Sequence, residues 1–227
     1  MKVLALFILF FSLTSQASEL EKFFNENDWT KVYDKGGYVV HSQKAKNSKI
    51  VGFTARAVLD AKLENVLAIL RDVAGTTKWA PNMVEKKTIV RYSDLKALTY
   101  NNNDLPWPVA DRDMVLMNVL RVDRDKKVLV VDTHSVEHPD YPPRKKVVRS
   151  FMPYGTLEFK RHGNKSSVKM TILVEPKGSI PIWIVNMIQK RFPIQFLKAL
   201  EKECKRVELP LLPGIKKLLD ELDRLGK

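Results

Sequence analysis

Apolar and polar residues alternate along most of the middle of the chain, between residues 84 and 175. Every second position from Val168 to Val174 is apolar, for example, which places these side chains on one face of a strand. Short linkers rich in Asp, Ser, Asn and Gly separate the alternating runs, as is typical of turns. The pattern predicts seven strands, at residues 84–92, 97–102, 114–122, 127–136, 145–152, 155–161 and 167–175. Consecutive short strands joined by tight turns predict one large, curved antiparallel sheet.

The residues before this region predict a helix and three further strands. Residues 18–27 carry three apolar side chains at helical spacing with acids early in the segment, so we expect a short first helix. Residues 29–33 and 38–42 flank the sequence Asp-Lys-Gly-Gly, which is typical of a β-hairpin. Residues 49–59 alternate again and predict a third strand.

A second helix is predicted after this third strand. Apolar residues recur at the i, i+3, i+4 and i+7 positions from Leu63, which gives the segment one apolar face. We expect Asp60 to cap the start of this helix and Gly75 to end it.

The last quarter of the chain predicts two helices. Residues 182–206 form a long helical pattern, and Pro193 within it is expected to kink the helix or divide it in two. Two prolines then mark a linker, and residues 214–225 predict a final amphipathic helix. Its polar face carries charges of both signs, so we expect it to pack back on the domain rather than to insert into a membrane.

The first 17 residues resemble a targeting segment rather than part of a domain. A lysine at position 2 precedes an apolar run at residues 3–13, and Ser15 and Ala17 are small residues suited to a cleavage site. The run is too short to span a bilayer. We therefore expect a signal peptide at residues 1–17, cleaved after Ala17, and a periplasmic or secreted protein. An uncleaved anchor is the alternative.

The chain is strongly basic, with a formal net charge of +13, which becomes +12 if Lys2 is removed with the signal peptide. Such a charge suits anionic partners, either phospholipid head groups or nucleic acid. Export favours the membrane surface as a transient partner over nucleic acid, and we expect no nucleic-acid ligand. A basic surface that is simply solvated remains the alternative.

A proline-locked segment leads into the apolar strand at residues 114–120. Pro106 and Pro108 restrict the backbone on both sides of Trp107, so the indole is expected in a stiff, non-helical turn. Arg112 follows, with an aspartate on each side. An arginine is tolerated in the interior only when it is paired, so Arg112 is expected either to form an ion pair with a neighbouring aspartate or to contact a ligand.

Two motifs carry a resemblance to a known family. The sequence PWPVADRDMV, residues 106–115, resembles the tryptophan–proline and arginine–aspartate–aromatic–valine stretch of the START lipid-transfer domain, with Met114 in place of the aromatic residue. The sequence GSIPIWIVN, residues 178–186, is similar to the entry into that family's last helix. The resemblance implies an α+β helix-grip fold, in which a large curved antiparallel sheet grips a long C-terminal helix around a hydrophobic tunnel. It covers residues 18–208 as a lipid-binding domain and leaves residues 209–227 as a separate C-terminal amphipathic helix.

The function that the resemblance implies is passive. Such domains bind one lipid, such as a sterol or a phospholipid, and carry it between membranes without chemical change. In some sterol-carrying members an acid and a base face each other inside the cavity. Thr99 and Asn118 stand at those positions here, so this charged pair is expected to be absent.

The candidate ligand-binding residues lie on the predicted tunnel wall. Alternation places four residues of one strand on a common face, and Met187 is expected to face them from the long helix. Tryptophan rings combine an apolar body with a polar edge, which suits a lipid near the tunnel. The predicted set is Trp107, Arg112, Met114, Leu116, Asn118, Leu120, Trp183 and Met187. A close-packed core without a ligand is the alternative for the apolar members.

Catalytic chemistry has little support in the sequence. His134, Glu137 and His138 fit the H-x-x-E-H form of a zinc site, but that site needs a helix and the motif continues a predicted strand. We expect no metal and no cofactor, and a monomer. The alternative is a cyclase or hydratase on the same fold acting on an aromatic or polyketide-like substrate, which would need an acid–base pair inside the cavity.

Overall fold

The computed structural model describes residues 17–25, 27–47 and 50–226, and describes only the backbone of residues 17–19, 182–183 and 186–190. The predicted signal peptide therefore lies outside the described residues except for Ala17, which begins the first helix. Among the described residues, no helix combines the length and the apolar composition that crossing a bilayer requires.

Helices flank a long series of strands. The helices are α1 (Ala17–Phe23), α2 (Leu63–Arg71), α3 (Ile182–Arg206) and α4 (Pro213–Leu225), with a short 3₁₀ turn at Thr76–Lys78. The first five strands are β1 (Thr30–Lys35), β2 (Tyr38–Lys44), β3 (Val51–Leu59), β4 (Met83–Arg91) and β5 (Lys96–Asn103). The others are β6 (Asp111–Asp123), β7 (Val128–Ser135), β8 (Val147–Arg149), β9 (Phe151–His162) and β10 (Lys165–Glu175).

Within the described part of the chain, the strands form one sheet in the order β1-β2-β3-β10-β9-β7-β6-β5-β4. Each neighbouring pair on this path is antiparallel, as predicted, and β8 lies off the path and pairs parallel with the start of β6. The predicted strand at residues 145–152 is therefore wrong in extent. The segment divides at Ser150, which lies between β8 and β9 and whose hydroxyl donates to Pro176 O at 3.1 Å.

One face of the sheet carries the main core, which lies under α2, α3 and α4. The alternation of the strands brings Leu120, Leu129, Phe159, Val168 and Met170 together on this concave face. The helices cover them with the buried residues Leu63, Val66, Leu67, Ile194, Leu197, Leu200, Ile215, Leu219 and Leu222. The opposite, convex face packs against the residues around α1, where Phe24 is 1% exposed.

The boundaries of α2 differ from the prediction at both ends. The helix begins after Lys62, which has extended backbone and makes no side-chain cap, because an ammonium cannot accept from the helix amides. Asp60 lies two residues earlier and pairs with the ammonium of Lys205 at 2.9 Å. The helix ends at Arg71, before Gly75, because Asp72 turns the chain and its Oδ1 accepts the Gly75 amide at 3.1 Å. Asp60 and Asp72 thus both make their side-chain contacts outside the helix itself.

The two C-terminal helices match the prediction closely. Helix α3 has the predicted bounds and runs without a break through Pro193, so the expected division does not occur. Helix α4 packs back on the domain, with Ile215, Leu219 and Leu222 buried in the main core. Its polar side is tied to the sheet by Glu221, which accepts from Arg124 at 2.8 Å.

Candidate functional site

The predicted wall residues of β6 lie on the concave face of the sheet. Leu120 belongs to the core under the helices, and Leu116 shares its face because strand side chains alternate with a period of two. Val115 points to the other face, where it packs with Leu98 and Tyr100. Met114, Leu116, Asn118 and Leu120 therefore face the helices together. That they contact a ligand remains a prediction.

Part of this concave face is not filled by the core. Helix α3 packs against β2, β3 and α2, and α4 packs against β6 and β7, so β4 and β5 lie beyond the main contacts of both helices, at one edge of the sheet. Met114 and Asn118 of β6 are only half-buried, although they face inward. A recess of about 1270 Å³ adjoins this wall, and its lining includes Leu120, Thr133 and Gly155. That volume exceeds the usual range of small-molecule pockets, about 300–1,000 Å³.

A neutral hydrogen-bond network lies on the same wall. The Asn118 amide nitrogen donates to Thr99 Oγ1 at 3.1 Å and to Leu116 O at 3.0 Å, and the hydroxyl of Thr133 donates to Asn118 Oδ1 at 3.2 Å. Thr99 and Asn118 therefore meet across β5 and β6, as the resemblance implied, and neither carries a charge. Such a network can orient a hydroxyl or a carbonyl of a ligand but supplies no strong acid or base.

Arg112 is buried on the concave face and binds backbone oxygens. Its Nε donates to Pro176 O at 3.0 Å and its Nη2 to Lys177 O at 2.8 Å, while Nη1 makes a short contact with Ala110 O. Burial lowers the pKa of the guanidinium, and the carboxylate of Asp111 opposes this effect. Arg112 thus ties the start of β6 to the segment that precedes α3.

Of the two flanking aspartates that were expected as possible partners of Arg112, Asp113 is not its partner. Adjacent strand residues point to opposite faces, so Asp113 lies on the convex side, where it is fully buried. Arg149 reaches both of its oxygens, at 2.8 and 3.0 Å, and the hydroxyl of Tyr100 donates to it at 3.0 Å. Burial and this carboxylate raise the pKa of the Tyr100 phenol. The pairing through Arg149 was missed, since no local pattern links the two positions.

The loop that contains Gly178 lies close to the guanidinium of Arg112, and this approach favours glycine at that position. Gly178 has φ of +64°, a left-handed conformation that favours glycine, and a Cβ there would lie 3.4 Å from Arg112 Nη2. The segment before α3 therefore packs its backbone at Gly178 against the guanidinium of Arg112.

Trp107 does not line the interior, contrary to the prediction. Its side chain is 89% exposed, because β5 ends at Asn103 and β6 begins only at Asp111, which leaves the indole in the connecting turn. The apolar residue of this turn that is buried is Val109, at 9% exposure. The side chains of Trp183 and Met187 lie outside the described residues, so their predicted roles remain predictions.

The histidine motif has extended rather than helical backbone, as predicted. His134 lies in β7, which ends at Ser135, and Glu137 and His138 follow in the loop. His138 packs against the ring of Tyr141, with centroids 5.9 Å apart, and its Nδ1 accepts the Asp140 amide at 3.3 Å. On a helix, His134 and His138 would share one face, but extended backbone does not place their imidazoles together on one metal ion.

Lys86 is a site residue that the sequence analysis missed. It lies on β4 opposite Asn101 of β5, on the same face as the Thr99–Asn118 network. Burial lowers the pKa of its ammonium to about 8, and the carboxylate of Asp72 opposes the shift. The sequence did not indicate that Lys86 is buried, because two consecutive lysines in a predicted strand are typical of a solvent-exposed face.

Comparison with known proteins agrees with the geometry. The chain is 29% identical over 184 residues to START domain-containing protein 10 of Mus musculus, covering 79% of this chain but 62% of the mouse protein's length. It is 25% identical over 181 residues to the phosphatidylcholine transfer protein of Rattus norvegicus, covering 78% of this chain and 84% of the rat protein. The STAR-related lipid transfer protein of Xanthomonas axonopodis has a solved structure with a TM-score of 0.69 and 27% identity, covering 79% of this chain and 99% of that one.

The predicted helix-grip fold is confirmed by these relationships and by the antiparallel sheet with its C-terminal helices. The family model of the START domain matches residues 14–209, which is most of the chain. This protein therefore belongs to the START domain family.

Proposed function

We propose that this protein binds one lipid on the concave face of the sheet, along β6, and carries it between membranes without changing it chemically. The observation that carries the proposal is the wall of β6, where apolar side chains and a neutral amide network face inward beside unfilled space. Each buried methylene of a ligand contributes about 0.8 kcal/mol, so an acyl chain can be held with few polar contacts. The names of the rat and Xanthomonas relatives support lipid transfer.

A test should fill the proposed space without disturbing the fold elsewhere. Met114 and Met117 are both half-buried residues of β6 but lie on opposite faces, so they form a matched pair. We expect Met114→Trp to abolish lipid uptake from vesicles, measured by native mass spectrometry, and Met117→Trp to leave it unchanged. Equal uptake by both variants, with both folded by circular dichroism, would overturn the proposal.

The surface that docks on a membrane is proposed to lie around Trp107. The guanidinium of Arg112 binds the backbone of both Ala110 and Lys177, so the loop of Trp107 and the loop of Lys177 adjoin. Phe151 is 39% exposed beside the Lys177 ammonium, which lies 5.6 Å from its ring centroid. Aromatic rings and cations together suit an anionic membrane interface, and the basic net charge favours the approach.

Vesicle co-sedimentation tests this docking surface. We expect Trp107→Ala to weaken binding to vesicles that contain anionic lipid. Tyr92→Ala is the control, because Tyr92 is also an exposed aromatic residue, at 54%, but lies at the end of β4. Equal binding by the two variants would exclude Trp107 as an anchor.

Export to the periplasm or the medium is proposed from residues 1–17 alone. The intact mass of the protein recovered from cell fractions tests this, with a mature chain beginning at Ser18 as the expected result. A chain that retains residues 1–17 would contradict cleavage. The mature protein is proposed to act as a monomer, which light scattering can check.

A further inference from the structure

Lys86 and Asn101 extend the polar part of the inner wall. In the β4–β5 ladder, Lys86 is opposite Asn101 and Thr88 is opposite Thr99. Thr99 hydrogen-bonds Asn118 on the concave face, so alternation places Asn101 and Lys86 on that face as well. The pair between them, Lys87 and Tyr100, points to the convex side. Directly opposed residues of an antiparallel pair have Cβ atoms about 5 Å apart, so one small group can contact both side chains.

The ammonium of Lys86 is held in the interior without an ion pair among the described residues. Burial lowers its pKa to about 8, and the charge that opposes this is Asp72, whose Oδ1 accepts the Gly75 amide at 3.1 Å. The side chain nevertheless keeps some accessible surface. An ammonium in such a position is costly unless a negative group accompanies it.

Asn101 is an incompletely bonded amide in the same place. Its side chain is 8% exposed, and Oδ1 has no hydrogen-bond partner among the described residues. Buried amides are normally satisfied, so this oxygen is available to accept a hydrogen bond from a water molecule or from a ligand hydroxyl. The oxygen accepts a hydroxyl, and the amide nitrogen donates to an anionic oxygen.

We propose that Lys86 and Asn101 form an internal subsite for the polar end of an anionic glycerophospholipid, with the phosphate on Lys86 and a head-group hydroxyl on Asn101. This inference rests on the proposed lipid binding and names the class of lipid. The inward ammonium of Lys86 favours a ligand with net negative charge over a zwitterionic one, because the positive group of a zwitterion would lie near the same cation. The acyl chains would then extend along the apolar wall of β6.

The test is a competition for loading. Protein is incubated with vesicles of phosphatidylglycerol and phosphatidylcholine in equal amounts with matched chains, and the bound lipid is extracted and measured by mass spectrometry. We expect phosphatidylglycerol to be enriched about tenfold. Both lipids offer a phosphate to Lys86, but only choline brings a second positive charge near it and only glycerol offers a hydroxyl to Asn101. An arm with added inorganic phosphate should leave this loading unchanged, since the free ion lacks the chains that hold a lipid in the site.

Two lysine variants distinguish the effect of the inward charge of Lys86 from that of an exposed charge on the surface. Lys86→Met keeps the length of the side chain and removes the inward charge, while Lys87→Met removes the charge of its exposed neighbour on the other face. We expect the first variant to lose the preference while it still binds lipid, and the second to keep it. Lys86→Met should fold at least as well as the native chain, because an unpaired buried charge is replaced by an apolar group.

Asn101→Leu tests the proposed hydrogen bond between Asn101 and the head-group hydroxyl of the lipid. We expect this variant to bind phosphatidylglycerol and phosphatidylmethanol equally, whereas the native protein prefers the glycerol head group. If the native protein takes up no lipid, the proposed function itself fails. If it takes up lipid and Lys86→Met keeps the native selectivity, or Lys87→Met loses it equally, the subsite is overturned while lipid binding stands. Displacement of the lipid by inorganic phosphate would also overturn it.

Discussion

Replacement of Arg112 by alanine should destabilise the fold more than it impairs the site. The guanidinium makes hydrogen bonds to three backbone oxygens, those of Ala110, Pro176 and Lys177. Pro176 O keeps a second partner in the variant, because the hydroxyl of Ser150 also donates to it at 3.1 Å. The oxygens of Ala110 and Lys177 lose the guanidinium as a donor. The loss of these two hydrogen bonds should account for most of the decrease in the free energy of unfolding.

The magnitude follows from these contacts. A hydrogen bond to a charged group contributes about 1.5–3 kcal/mol, so two lost bonds would cost about 3–6 kcal/mol. Removing a buried guanidinium also relieves its desolvation, which returns part of this amount. We therefore expect a net loss of about 2–4 kcal/mol in the free energy of unfolding.

Urea denaturation followed by far-ultraviolet circular dichroism measures this loss. With an m-value of about 2 kcal/mol per molar, a loss of about 3 kcal/mol lowers the midpoint by about 1.5 M. Arg112→Met separates packing from hydrogen bonding, since it keeps most of the aliphatic stem. A loss below about 1 kcal/mol together with abolished lipid uptake would refute the reasoning and assign Arg112 to the ligand.

Two further predictions concern titration. Between pH 8 and the ordinary lysine pKa, the unfolded chain holds the proton on Lys86 while the folded chain releases it, so stability should rise with pH across this window. The free energy of unfolding should rise by at most about 3 kcal/mol, and this rise should vanish in Lys86→Met. Urea midpoints of the native protein and the variant, each measured at pH 7.5 and at pH 10, test the difference. Equal midpoints of the two proteins at both pH values would contradict the prediction. Burial, with the carboxylates of Glu203 and Glu201, raises the pKa of the Cys204 thiol to about 12. Cys204 should therefore react with an aromatic disulfide reagent at pH 8 only as the protein unfolds, and rapid reaction of the folded chain would count against this burial.

The local pattern of the sequence determined most of the elements, because periodicity depends on neighbouring residues alone. Helix α3 has the bounds that its apolar spacing predicts, and α4 packs on the domain through its apolar stripe. The boundaries that differ lie near side chains that bind distant residues. Asp60 lies two residues before the N-cap position of α2 and pairs with Lys205, and the hydroxyl of Ser150 hydrogen-bonds Pro176 O between β8 and β9.

The alternation along β6 also determined which residues share a face, and so it brought Leu116, Asn118 and Leu120 together before the structure was known. It could not determine that Pro176 and Lys177 bind Arg112 or that Arg149 binds Asp113, because these partners are distant in sequence. Nor could it place Trp107, whose exposure depends on where two strands end.

Lys86 shows this limit most clearly. By sequence alone it is one cation among 39 lysines and arginines. Only the pairing of β4 with β5 places its side chain on the concave face opposite Asn101, where burial lowers the pKa of the ammonium. Local sequence decides the period of an element, whereas burial and charge pairing are decided by contacts between elements, and the chemistry of the inner wall depends on those contacts.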